Sequence, residues 1–435
     1  MKCLNCFKNS LFFQALEKQA CGERETVFSK SAREKLQKLL LNPEPFDQKL
    51  PLCRLYDKKP KFLSPKGPVL KKTDIKKYLR QESRDSVLVF LNGVWQKELS
   101  SFTGLTVESF DGGPKPAGFP SAVKNSDLPA FQKSGLEDLW NLVLAKENGL
   151  GLLPLAFGQK PLFIQIQKGQ VFKSPLQILH LVFDQEALWI APLLFFQIEA
   201  DGFLEVLQET VDLTGSAAPI FLPALNFFLK PRAQVSCTNL NLNSSFWSNV
   251  FYQVFLGEKA DFSFSNFSAG GDLELQDLKA CLKKESRLQV NSLNILKEKR
   301  QSYFQSLVEH EEKSFSSQLY KSVLEDSSRF FLEGVVAMAQ QAEGSEGAFF
   351  SQNLFLSSKA QFWAKPALRI MTDDVKARHG VFSRALLEEE LFYLQSRGIR
   401  ERAARSSLTE GFCQEVSKLI KIGSAVKSVE EAFFL

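Results

Sequence analysis

Histidine is scarce in this chain: 435 residues contain three, His180, His310 and His379. That leaves little material for histidine-based acid–base catalysis, and no G-x-S-x-G elbow or H-E-x-x-H pair supplies a hydrolytic site. No G-x-x-x-x-G-K-S/T loop is present and no G-x-G-x-x-G follows a strand, so nothing in the sequence cradles a nucleotide triphosphate. Long hydrophobic runs are missing as well. The longest, Ala187 to Phe196, contains Pro192 and is about half of the ~20 residues that a bilayer span needs. No apolar segment of signal-peptide length follows Met1-Lys2. The seven cysteines (Cys3, Cys6, Cys21, Cys53, Cys237, Cys281, Cys413) are odd in number and scattered, which fits reduced thiols better than a disulfide framework. These absences describe a soluble, cytoplasmic protein with no membrane association.

An excess of charge of one sign is also lacking. The 54 basic and 49 acidic residues leave a formal +5, which gives no electrostatic case for nucleic acid, and the loose basic cluster from Lys58 to Arg84 reads as a solvated face. Cys3 and Cys6 form a C-x-x-C pair, but the second pair of a zinc site is absent, since Cys21 stands alone and Cys53 follows 32 residues later. Ordinary thiols near a chain end are the plainer reading there.

What is present is apolar patterning, in 44% of a chain long enough for two or three structural units. The first 150 residues read as helices and loops, with helical spacing at Ala32 to Leu41. A strand from Val87 to Trp95 turns at Asn92-Gly93, and Ser134 and Glu137 form a capping box for a helix from Leu136 to about Glu147. From about Leu162 the period falls to two, clearest in Ala260 to Ser268 and Ser286 to Leu296. Similar words open successive strands. Arg232-Ala233-Gln234-Val235, Lys259-Ala260-Asp261-Phe262 and Arg287-Leu288-Gln289-Val290 follow at intervals of 27 and 28 residues, and Lys359-Ala360-Gln361-Phe362 returns to the wording later. A β-sandwich also alternates, but its strands need not recur at a near-constant interval, so the repeat favours stacked coils.

After the β segments, Asp373 to Ile399 carries His379-Gly380, where the chain is free to turn, and then an amphipathic helix with Leu387, Leu391 and Leu394 on one stripe, Glu388 to Glu390 in its first turns and a stop at Gly398. A second stripe follows in Leu408, Phe412, Val416, Leu419 and Ile420, which is either core packing or a partner surface. His379 is either a ligand, imidazole being a good one for iron, or a residue that holds its turn by a local hydrogen bond. His180, in a β segment, and His310, in a charged stretch, read as structural or solvated.

The segment DDVKARHGVFSRALLEEELFYLQSRGI resembles the C-terminal motif of SufD in the SufB/SufD family of the SUF iron-sulfur cluster assembly machinery, a histidine-glycine followed by a helix ending in FYLxSRGI. Val308 to Val336 resembles the family's SxQLYKxVL segment, Phe163 to Val182 its strand-Gly-strand-Pro entry, and Ser351 to Ile370 its NLLLS…A…P.LEI segment. The resemblance implies a mainly β fold, a right-handed parallel β-helix over residues 161–372 between an N-terminal helical or mixed domain (1–160) and a C-terminal helical domain (373–435). It implies a non-enzymatic scaffold subunit of a SufB-SufC-SufD complex that builds iron-sulfur clusters and supports their transfer to apo-proteins. A SufB-like homologue would bind through the β-helix, and a SufC-like ATPase through the C-terminal helices at Leu408, Phe412 and Val416. A transient iron-sulfur cluster would be shared with the partner, with His379 as candidate metal ligand at the interface; a flavin is left open.

Departures narrow this. Ala377 stands where the family often has cysteine, so a thiolate would come from the partner. Val381 to Arg384 replaces ATVG, Leu387 replaces an aspartate, and Gly411 to Val416 is closer to the SufB form. In the first 150 residues only Val87 to Ser100 is similar to a family motif. The reading from a different class is a β-helix protein that binds or cleaves polysaccharide, which would need an export signal and clustered carboxylates on one solenoid face.

Overall fold

The computed structural model describes residues 70–109, 143, 154–155, 161–183, 189–214, 219–242, 245–420 and 422–434. Its alternating segments build two long sheets. The first runs, in spatial order, through Val94–Trp95, Val87–Leu91, Leu176–Val182, Phe203–Asp212, Gln234–Asn241, Asp261–Ser268, Arg287–Leu296, Phe315–Leu324, Glu346–Phe355 and Lys376–Ala385. The second runs from Gln361–Ile370 through Arg329–Met338, Gln301–His310, Leu273–Leu282, Trp247–Leu256, Ala224–Leu229, Leu193–Ile198 and Leu162–Ile166 to Thr106–Ser109. The chain alternates between the sheets, and within each sheet a strand pairs in parallel with the one a full coil later. A sandwich of hairpins would pair neighbours antiparallel. The molecule is therefore mainly β, a solenoid, as the repeat implied.

The register corrects that repeat in detail. Asn239 bonds Asn266, 27 residues on, but Asn266 bonds Ser292, 26 residues on. Lys259 thus corresponds to Glu285 and not to Arg287, which lies beside Asp261. A slip of two keeps every side chain on its face, so the wording survived the misalignment. The shared feature is the corner: Arg232, Lys259 and Glu285 all have φ between 56° and 60° just before their strands. Lys359-Ala360-Gln361-Phe362 leads into the opposite sheet, and Lys359 does not share that positive φ.

Alternate residues of both sheets meet inside. Phe196 stacks on Phe227 at 4.6 Å, and Phe304, Tyr320 and Phe349 follow one another at 4.9 and 5.1 Å. Each such buried side chain contributes about 1.5–3 kcal/mol. Polar side chains share the interior as ladders, Asn239 to Asn266 to Ser292 at 2.8 and 2.9 Å. Glu274 is fully buried there, accepting from Asn241 Nδ2 at 2.7 Å and Gln276 Nε2 at 3.1 Å and bonded by Ser268 Oγ. Burial outweighs those bonds and raises its pKa.

The two ends of the solenoid differ. At the start, the hairpin of Val87–Leu91 and Val94–Trp95 turns at Asn92 (φ 47°) and Gly93 (φ 79°), where the sequence places it, and Trp95, Phe102, Leu105 and Val107 pack over the core. At the far end, Gln361–Ile370 and Lys376–Ala385 each pair on one side only among the described residues. The sheets therefore extend beyond the expected bounds of 161 and 372, from Val87 to Ala385. The flanking helices described are a short α1 (Lys72–Ile75) near the start and α2 (Glu388–Ser396), α3 (Glu401–Ser417) and α4 (Gly423–Phe434) at the end. Of the helix expected from Leu136 to Glu147, Val143 alone is described, helical and buried; Ala32 to Leu41, Cys3 and Cys6 lie outside the described residues.

Helices α3 and α4 cover the outer face of the first sheet. Cys413, Val416, Ile420, Ile422, Ala425 and Val429 pack on Leu207, Leu240, Phe267, Leu293, Val323 and Leu354. Two polar anchors hold them. Lys321 Nζ donates to the Phe412 carbonyl at 2.9 Å and pairs with Glu415 at 2.6 Å. Arg80 bonds Glu209 with two nitrogens and reaches Ser424 O at 3.0 Å and Ser428 Oγ at 2.6 Å, while Glu82 accepts the Ser424 N–H at 3.0 Å at the start of α4. A carboxylate there suits the helix dipole.

Candidate functional site

The fold separates the three histidines. His180 lies buried between Phe90 and Phe221, with ring centroids 5.1 and 5.2 Å away, and neither ring nitrogen has a hydrogen-bond partner among the described residues. Burial pushes its pKa down to about 3, so it stays neutral. His310 ends an interior row, Nδ1 2.9 Å from Ser314 Oγ and Nε2 2.8 Å from Ser316 Oγ, and burial again is the main cause that lowers its pKa, to about 4. Both are spent on structure. His379 is exposed.

Its surroundings differ from the expected turn. His379 and Gly380 lie in the middle of the strand Lys376–Ala385, in register with Phe349 and Phe350, and Gly380 has no positive φ. The glycine serves packing: a Cβ there would stand 3.0 Å from Phe350 Cδ1. The segment after residue 373 accordingly opens with a strand and becomes helical at Glu388. Phe349 belongs to the interior cluster, and side-chain alternation puts its neighbour His379 on the same inward face. Among the described residues no strand pairs with its other edge, so the imidazole stands at the mouth of the open end. Around it on the inward faces are Ala377 and Val381 from its own strand and Phe362, Pro366, Leu368 and Ile370 from the other sheet.

Thiolate ligands are not at hand in the described part of the chain. Cys237 is buried in the core and burial raises its thiol pKa well above the usual range; the Cys413 thiol, on the buried face of α3, is pushed up to about 12. Cys281 sits on the outer face of the second sheet, Sγ 3.2 Å from Glu309 Oε2, and with Glu311 forms a group whose ligand atoms lie within 4.8 Å of one another. Lys283 Nζ, 2.7 Å from Glu311, balances the charge. The sequence reading missed this trio, whose only signal is that Cys281 and Glu309 stand one coil apart, 28 residues.

A family model described as the SUF system FeS cluster assembly SufBD core domain matches residues 184–412. The chain belongs to this family. Its relatives include an iron-sulfur cluster assembly SufBD family protein of Synechocystis, 25% identical over 357 residues, which is 79% of this chain and 76% of that protein. The iron-sulfur cluster assembly protein SufD of Escherichia coli is 30% identical over 171 residues, 39% of this chain and 40% of that one, and SufB of Bacillus subtilis is 28% identical over 107 residues, 25% and 23%. Relatives of both names match, so membership is of the joint SufB/SufD family.

In this SufB/SufD chain the C-terminal stripe divides between core and surface. Val416 is 0% exposed against its own sheet and Leu408 and Phe412 are half-buried, Phe412 with Lys321 Nζ 4.6 Å from its ring centroid. Val416 therefore has no surface left for another chain. Exposed apolar side chains nearby include Leu387 and Leu419, which the two stripes contain, and Phe392 and Tyr393 of α2, which they do not. Among the described residues no helix is long and apolar enough to cross a membrane.

Proposed function

We propose that this chain is the SufD-type, non-enzymatic scaffold subunit of a SufB-SufC-SufD complex, pairing with a SufB-like homologue through the open end of its solenoid. The single observation behind this reading is that its one exposed histidine lies on the inward face of a terminal strand that, among the described residues, is paired on one side only. A long strand with a free edge and apolar neighbours is a template for another chain's strand. A partner solenoid stacked there would enclose His379 between two hydrophobic interiors, where a neutral imidazole offers one ligand to a nascent iron-sulfur cluster. The remaining ligands, thiolates included, would come from the partner. A SufC-like ATPase would dock on the C-terminal helices, with Leu408 and Phe412 at the edge of that surface and Val416 holding it from beneath.

The polysaccharide reading gains nothing from the family match. Co-expression with SufB-like and SufC-like counterparts tests the proposal. The chain should co-purify with both, and His379→Ala should leave the complex intact while lowering its iron and sulfide content. A chain that stays separate from both overturns the scaffold reading; unchanged iron and sulfide in His379→Ala returns the histidine to the structure.

A further inference from the structure

Glu274 is the one buried carboxylate among the described residues. It stands inside the solenoid, at the corner where strands of the first sheet end (Asn241, Ser268) and strands of the second begin (Trp247, Leu273). Its neighbours supply donors. Asn241 Nδ2 and Gln276 Nε2 both reach Oε1, at 2.7 and 3.1 Å, and Oε2 is bonded by Ser268 Oγ, which accepts the Gly270 N–H at 2.8 Å and so has its own hydrogen to give. Three donors on two oxygens suit a carboxylate, whereas a protonated acid needs an acceptor for its hydrogen. The matching positive charge is not in the interior: Lys321 is the one buried lysine or arginine described, and it bonds α3 on the outer face of the first sheet.

The oxygens beside the carboxylate give a second, independent sign. Asn241 Oδ1 and Gln276 Oε1, on the same amides that donate to Glu274, have no hydrogen-bond partner among the described residues. Neither do Ser248 Oγ, from the residue in register with Glu274, and Asn294 Oδ1, from the residue in register with Ser268. None of these four residues is more than 5% exposed. Buried polar atoms without a partner point to one that is not a side chain, a water or an ion. Here all four are oxygens, and they gather about an uncompensated carboxylate.

We propose that this interior corner binds one monovalent alkali cation, with the Glu274 carboxylate as counter-charge and the amide oxygens of Asn241 and Gln276 as neutral ligands. A donor set of carboxylate and carbonyl oxygens suits a hard ion. One carboxylate balances one positive charge, and a divalent ion would leave a second charge buried and unpaired. The ion ties together two strands of the second sheet's partner coil: Asn241 comes from the first sheet and Gln276 from the second, 35 positions on in the chain. Where no such ion is present, a proton takes its place on Glu274. The site is independent of the open end and of the scaffold reading.

Thermal unfolding of the full-length chain in lithium, sodium, potassium, rubidium and choline chlorides, at one ionic strength and a slightly alkaline pH, tests this. The best alkali ion should raise the wild-type midpoint by roughly 2–4 °C over choline, which is too large for the site. Glu274→Gln keeps the side chain's shape and removes the charge, so its midpoint should be the same in all five salts. Diffraction from crystals grown in the preferred ion locates it: the wild type should hold that ion against a Glu274 oxygen, and Glu274→Gln should not. Equal wild-type midpoints in the five chlorides, a cation effect that persists in Glu274→Gln, or water alone at the corner overturns the inference. If Glu274→Gln does not fold, the wild-type salt series and the diffraction decide without it.

Discussion

Gly334→Ala probes how firmly the interior supports the terminal strand. Gly334 lies on the inward face of Arg329–Met338 in the second sheet, and Phe349 reaches across the interior from the first. A Cβ on residue 334 would stand 2.6 Å from Phe349 Cζ and 2.7 Å from Cδ2, with Cε2 nearer still. Phe349 is 1% exposed and packs on Tyr320 at 5.1 Å, so the ring has no open side to move into. Overpacking of this kind costs about 1–3 kcal/mol. Phe349→Leu alone leaves a small cavity and should cost less than the roughly 3–5 kcal/mol of a Phe→Ala truncation, and the double variant should be more stable than the sum of the two by about 0.5–3 kcal/mol, because the smaller side chain vacates the space that the methyl enters. Urea unfolding of the four proteins gives the cycle. Hydrogen exchange locates it: protection should fall in Glu346–Phe355 and in Lys376–Ala385, which pairs with it and carries His379. A Gly334→Ala chain with the parent's urea midpoint, or strictly additive energies, would refute the argument that the ring fills this space.

Three further outcomes follow from buried charge and its anchors. Glu274 has a folded-state pKa raised by burial, so the native state holds its proton more tightly than the unfolded chain and stability falls as pH rises from about 4.5 through the folded value. Glu274→Gln, which imitates the protonated acid, should flatten that part of a stability profile; a profile unchanged by the substitution argues against a neutral Glu274. His180 works in the other direction, since a pKa lowered to about 3 means that the unfolded state takes up the proton first and stability is lost as pH falls below about 6.5. His180→Leu should reduce the acid sensitivity by up to about 1.4 kcal/mol for each pH unit between those values, measured by unfolding at matched pH. Lys321→Ala removes the bonds to Phe412 O and Glu415 and should cost about 1–3 kcal/mol, seen as faster hydrogen exchange in α3 and α4 with the solenoid strands unaffected; equal loosening of the strands would mean that Lys321 supports the sheet instead.

Much of the solenoid was legible because its signals are local. Period-two segments, the corner words near Arg232 and Lys259, the Asn92-Gly93 turn and the stop at Gly398 (φ 84°) all act within a few residues, and the structure places each where the sequence does. Register and face were harder, since they depend on residues a coil away. The third corner word was matched to Arg287 when the hydrogen bonds align Lys259 with Glu285. His379-Gly380 read as a turn because a glycine's local meaning is freedom, whereas here its missing Cβ admits the Phe350 ring. The stripe through Leu408, Phe412 and Val416 was visible, but a helical stripe does not say whether its cover is the same chain or another; the first sheet takes Val416 and leaves Phe412 half-buried.

The same reasoning explains why the basic character of the two terminal strands was hidden in plain sequence. Lys365 and Arg369 belong to one sheet and Lys376, Arg378 and Arg384 to the other. In the linear chain the acidic pair Asp373-Asp374 stands between them, so a window over this stretch registers mixed charge and an ordinary solvated surface. Folding puts those two aspartates in the connection and both basic strands at the end of the stack, so a charge that averages out along the chain becomes one-signed on the two edges. Specificity at an edge depends on what stands directly opposite, not on the mean over neighbours in sequence. The relevant composition is therefore that of the last strand in each sheet, and only the pairing order says which strands those are.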